Sequence, residues 1–86
     1  MYVIEYAKPA RRSLRSMPVN VRLTIEKKIM VLANNPYAPN SNVKKLQGRE
    51  GFRLRVGDWR VLYTIENKRM IIYIVDILAR GGAYQV

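Results

Sequence analysis

The arginines of "GFRLRVGDWRVLY", residues 51–63, are the groups in this chain best suited to chemistry. Arg53 and Arg55 precede a Gly57-Asp58 dipeptide, and Arg60 follows it. Gly57-Asp58 suits a two-residue connection between strands, because glycine supplies the positive φ that a primed turn needs. Pairing around it sets Val56 opposite Trp59, Arg55 opposite Arg60, Leu54 opposite Val61, Arg53 opposite Leu62 and Phe52 opposite Tyr63. One side then holds Phe52, Leu54, Val56, Trp59, Val61 and Tyr63, all apolar or aromatic. The other holds Arg53, Arg55, Arg60 and Leu62. A slip of one residue would drive the arginines into the core, so the pattern specifies its own register. Like charges facing each other across a sheet cost up to ~1 kcal/mol. Guanidiniums on rigid, adjacent strands form a prepared site for an oxyanion, and phosphate suits the bidentate fork of arginine.

The rest of the chain narrows what such a site can do. There is no histidine and no cysteine. That removes the commonest general base, the thiolate nucleophile, zinc-thiolate sites and any disulfide framework. The acids (Glu5, Glu26, Glu50, Asp58, Glu66 and Asp76) are scattered, without the spacing of a metal cage, and no metal or other cofactor is expected. Sixteen Lys+Arg against six Asp+Glu give a net charge of +10, which calls for a polyanionic partner, nucleic acid first and acidic protein second.

RNA cleavage is the hydrolytic reaction such a chain serves best. The 2′-hydroxyl of the substrate is its own nucleophile, so the protein must orient it, neutralise charge at the phosphate and move protons. Arginine does the second task well and the third poorly, since its pKa exceeds ~12. Lys44, Lys45 and Tyr84 are the better candidates for proton transfer. A non-catalytic nucleic-acid-binding module fits the same residues.

The elements that must position this face follow from periodicity. At 86 residues the chain is read as one domain, residues 1–86. "MYVIEYA" predicts a strand at about residues 2 to 6. "KPARRSLRSM" predicts a short helix with Pro9 in its first turn and an inner stripe of Ala10, Leu14 and Met17, ending before Pro18. "PVNVRLTIEKKIMVLANNP" predicts a longer helix, with Val21, Ile25, Ile29 and Leu32 on one face. A loop follows, with a short extended piece at Val43 to Leu46, and then strands at about 51–56, 59–66 and 69–77. The fold class is α+β: a strand, a two-helix hairpin and an antiparallel meander of three strands, helices on one face and a basic concave face opposite. A turn at Asn67-Lys68 would set Tyr73 beside Leu62 and Val75 beside Arg60, and would aim Asp76 toward the helices. Tyr73 is then placed to stack a base beside the arginines. No apolar run reaches the ~18 residues of a membrane span, and no secretory signal is read at the N-terminus, so the cytoplasm is the expected compartment.

The run "LQGREGFRLRVGDWRVLYTIENKRMIIYIVDILARGGAY", residues 46–84, with its strand–helix–helix lead, resembles the RelE/ParE superfamily of type II toxins. Within it the chain is most similar to the RelE branch, the mRNA interferases. The resemblance implies a toxin encoded beside a cognate antitoxin that wraps and silences it, with a toxin–antitoxin heterotetramer among the expected assemblies. It implies a metal-independent endoribonuclease that enters the ribosomal A site, contacts 16S rRNA and cleaves mRNA by 2′-hydroxyl attack, so inhibiting translation. Carried over by position, the catalytic set is Arg53, Arg55, Arg60, Arg80 and Tyr84, with Tyr84 stacking on the base or relaying a proton. Lys44, Lys45, Arg49 and Tyr73 are expected to bind RNA. The best-understood RelE enzymes carry lysines where this chain has Arg53 and Arg55, so neither arginine is read as the general base. ParE-like relatives share the fold and inhibit DNA gyrase without cleaving RNA, which is the alternative expectation.

Overall fold

The computed structural model describes residues 1–79. Its elements run β1 (Val3–Tyr6), α1 (Lys8–Ser16), α2 (Val19–Asn34), β2 (Val43–Lys45), β3 (Phe52–Val56), β4 (Trp59–Glu66) and β5 (Ile71–Ala79). Pro9 sits in the first turn of α1, where its missing N–H costs nothing. Pro18 separates the helices and caps the start of α2, and Asn35-Pro36 follows its end. Among the described residues, no helix is long and apolar enough to cross a membrane.

The strands form one sheet in the order β1-β5-β4-β3-β2. The meander β2–β3–β4–β5 is antiparallel, whereas β1 joins β5 in parallel, Val3 beside Ile71 through Tyr6 beside Ile74. The extended piece expected near Val43 is β2, which pairs Lys44 with Arg53 and shields one edge of the hairpin. One face of the sheet packs under both helices. Ala10, Leu14 and Met17 of the first helical segment and Ile25, Ile29 and Leu32 of α2 close over Leu54, Val56, Val61, Tyr63, Ile72, Ile74 and Ile77. The inner stripes read from the sequence are therefore the ones that are buried, with Val21 partly so.

The connection between β4 and β5 departs from the sequence reading. It spans residues 67–70 rather than a two-residue turn, with Met70 in the left-handed region at φ 54°. Two phenols hold it in place: the Tyr2 and Tyr37 hydroxyls donate to Asn67 Oδ1 at 2.8 and 2.9 Å. The register shifts accordingly. Tyr73 lies opposite Thr64, not Leu62, and Leu78, not Val75, lies opposite Arg60. A bulge then interrupts the ladder between Leu62 and Tyr63: Tyr63 pairs with Ile74 but Leu62 pairs with Asp76, so Val75 is the extra residue. Asp76 consequently stands on the open face, not the helix-facing one. The cause is burial. An unbroken ladder would point Asp76 into the core, and the bulge substitutes Ile77, which is 1% exposed.

Candidate nucleic-acid interface and active site

The hairpin β3–β4 has the pairing its alternation demands, with Val56 opposite Trp59, Arg55 opposite Arg60 and Phe52 opposite Tyr63. The apolar set faces the helices and the arginines share the open face. Arg53, Arg55 and Arg60 converge, with Lys44, Ser41 and Asn42, on a pocket of about 230 Å³. This is below the ~300–1,000 Å³ of typical small-molecule sites and is lined by cations, so it suits a charged group more than a drug-like body. The loop before β2 closes one wall, because the Asn42 carbonyl accepts the Arg55 backbone N–H at 2.9 Å.

Arg60 is the unusual member of the cluster. It is half-buried, and its Nε and Nη1 are shut off from solvent without a hydrogen-bond partner. Unmet donors on a cation are costly, and a small shift of the side chain toward an anion in the pocket would satisfy them. Among the described residues no carboxylate forms an ion pair with the cluster. Among the described residues the only ion pair is Arg69 with Glu66 at 2.7 Å, at the far end of β4. There the Arg69 guanidinium, by hydrogen bonding, holds the Glu66 carboxyl below its ordinary value.

The other sequence candidates are dispersed. Lys44 lines the arginine pocket, and Lys45, paired with Phe52, lines an adjoining groove with Leu46 and Gln47. Arg49 is exposed in the bend before β3 and outside the pocket. Tyr73 is 42% exposed on the open face, between Thr64 and Glu5, and does not reach the arginine pocket. Arg80 and Tyr84 lie outside the described residues. Among the described residues no three acids gather into a group able to hold a metal ion.

Two features escaped the sequence reading. The first is a row of cations on α1, where Lys8, Arg11, Arg12 and Arg15 line one depression. Their spacing (i, i+3, i+4, i+7) was the available signal, and it makes every neighbouring pair like-charged. Neither helix has an acid in its first turn to compensate. Because α1 packs on the helix-covered face, this row and the arginine pocket occupy opposite sides of the sheet. The second is Tyr63, whose hydroxyl is buried without a partner, 1% of the residue being exposed. Burial pushes its phenol up to about 12. A larger opening of about 290 Å³ between α2 and the Gly57-Asp58 turn is mostly apolar and has Asp58 as its one ionisable residue, so it offers an anion nothing.

A search of curated protein sequences gave no significant match. A chain of the archaeal RelE–RelB complex from Pyrococcus horikoshii is similar in structure, with a TM-score of 0.80 at 27% identity, over 93% of this chain and 96% of that one. A chain of the RelBE2 toxin–antitoxin complex from Mycobacterium tuberculosis gives 0.77 at 24% identity, over 92% and 98%. The isolated RelE toxin of Escherichia coli gives 0.78 at 17% identity, over 93% and 85%, which is a likeness of fold. Residues 4–84 match the family described as "ParE toxin of type II toxin-antitoxin system, parDE". With that match running through every strand and both helices, the chain belongs to the ParE toxin family of type II toxin–antitoxin systems, within the RelE/ParE superfamily.

Proposed function

We propose that this toxin is a ribosome-dependent endoribonuclease that cleaves mRNA in the A site, in the manner of the RelE branch. The observation that carries the reading is the arginine pocket, in which the Arg60 Nε and Nη1 donors lack a partner. Arg53, Arg55 and Arg60 would grip the scissile phosphate and offset the charge that develops on it. The 2′-oxygen attacks phosphorus, the bond to the 5′-oxygen breaks, and that oxygen takes a proton from water. The products are a 2′,3′-cyclic phosphate and a 5′-hydroxyl. Arg80 and Tyr84 keep the roles the family resemblance assigns them, as a further phosphate contact and a stacking platform. The row Lys8, Arg11, Arg12 and Arg15, across the sheet from the pocket, supports a second contact with rRNA phosphates. The RelE–RelB and RelBE2 assemblies support a cognate antitoxin as the protein partner.

The test is to programme ribosomes with mRNA, add the protein and map new 5′ ends by primer extension. New ends within the A-site codon are expected, and their absence would end the nuclease reading. The family's ParE description favours a second reading, inhibition of DNA gyrase without cleavage. A supercoiling assay separates the two, because the nuclease leaves gyrase untouched.

A further inference from the structure

We propose that Asp76 is the catalytic base of this site, the group that takes the 2′-hydroxyl proton. The inference rests on the nuclease reading above and supplies what arginines cannot, a proton acceptor.

Register places Asp76 among the cations. Lys44 pairs with Arg53, Arg53 with Leu62 and Leu62 with Asp76, so the four form one row across the open face. Arg60 faces Leu78 in the next row and is therefore the diagonal neighbour of Asp76, at a Cα separation of roughly 7–8 Å. β1 ends at Tyr6, opposite Ile74, so that strand brings no residue beside Asp76. By register the charged residues beside it on the open face are Arg60, then Arg53 and Lys44 along the row, while Lys8 opens α1 just past Ala7, whose N–H donates to the Ile74 carbonyl at 2.9 Å. Half-buried Leu62 lies between them and offers an apolar platform on which a ribose can bridge phosphate and carboxylate.

The carboxylate is held but not neutralised. Its Oδ1 accepts the Ile77 N–H at 2.8 Å, which fixes its rotamer. Among the described residues no cation comes within 4.0 Å of it, since Arg69–Glu66 is the only ion pair. Merely balancing the charge of Arg60 would produce a contact with Arg60, and none forms. Oδ2 remains to accept a proton. The bulge that leaves Val75 unpaired is what turns this side chain onto the arginine face, and re-aiming a side chain beside a site is a recognised use of a bulge. In the reaction the 2′-O–H proton passes to the carboxylate as the oxygen–phosphorus bond forms, and Asp76 later returns that proton to water.

The test is single-turnover cleavage of ribosome-bound mRNA from pH 6 to 9 by the full chain and by Asp76→Asn. The carboxamide of that variant still presents an oxygen to the Ile77 N–H, so the melting temperature is expected to hold. Wild type should show a much flatter pH profile than the variant, since it carries its own base. Asp76→Asn should fall at least ~100-fold at pH 7 and rise about tenfold per pH unit, as hydroxide replaces the missing base. Asp76→Ser should behave alike, and Asp76→Glu should recover part of the flat profile. A variant with wild-type rate and slope overturns the assignment while leaving the nuclease reading intact. If wild type itself makes no cut, the nuclease reading falls and takes the role of Asp76 with it.

Discussion

Arg60→Met should make the protein more stable and less active, and the opposite signs are the point. Methionine keeps an unbranched apolar stem against the sheet and removes the guanidinium. Two costs disappear with it. One is the cross-strand repulsion from Arg55, worth up to ~1 kcal/mol. The other is the burial of Nε and Nη1 without partners, worth about 1–3 kcal/mol for such groups. Allowing for relaxation around the outer nitrogen, a gain of about 2 kcal/mol is expected. For a domain of this size that raises Tm by roughly 10 °C. Circular-dichroism melts in phosphate-free, low-salt buffer measure it. Inorganic phosphate should then raise the wild-type Tm, by about 2.7 kcal/mol of stabilisation at a hundredfold excess over Kd, and leave the variant unmoved. Cleavage of ribosome-bound mRNA should drop ~100–1,000-fold, the usual cost of losing one preorganised donor to a developing oxyanion. A variant that melts below wild type without phosphate, or phosphate stabilising both proteins equally, would refute the claim that the cluster is strained for want of an anion.

Other outcomes follow from the same structure. Gly51→Ala should cost at least ~2 kcal/mol in urea unfolding, because φ is 119° there and a Cβ would lie 2.9 Å from the Tyr63 carbonyl oxygen. Tyr63→Phe should be neutral or stabilising by up to ~1 kcal/mol at pH 7, since it removes a buried hydroxyl without a partner. The same change should blunt alkaline unfolding. The folded phenol titrates at about 12 against an ordinary 10.0, so the stability linked to it is whole below 10.0 and lost as pH rises toward 12. Pairwise replacement of Arg11 and Arg15 by Gln should flatten the salt dependence of ribosome binding while leaving the mRNA cut site unchanged, read by filter binding and primer extension.

The hairpin register was legible because its two sides differ in kind. "FRLRV" and "WRVLY" admit one pairing that keeps arginine out of the core. β5 has no such contrast. In "IIYIVDILA" both alternations are largely apolar, so parity fails to pin the pairing, and a longer turn and a bulge pass unnoticed. The clue was the spacing of its buried isoleucines: Ile72 and Ile74 are two apart, and Ile77 comes three later. That single break marks the bulge and moves Asp76 from one side of the sheet to the other. The parallel pairing of β1 was equally hidden, because four residues that pair with a strand nearly seventy positions away carry no local sign of it. For the site, alternation put Arg53, Arg55 and Arg60 on one face, as the pairing does, while only the backbone path decides which of the remaining candidates, such as Tyr73, Arg49 and Lys45, lie near them.

The place of β5 in the sheet has a consequence for how the toxin is born. It is the last strand of the described chain, yet it lies between β1 and β4 and carries the packing of α1. Until β5 is in place, β1 lacks its strand partner and α1 lacks the strand it packs on most. Contacts so distant in sequence close late. Among the described elements, completion of the sheet therefore waits on β5, whose insertion between β1 and β4 joins the N-terminal strand to the meander that carries the arginine pocket.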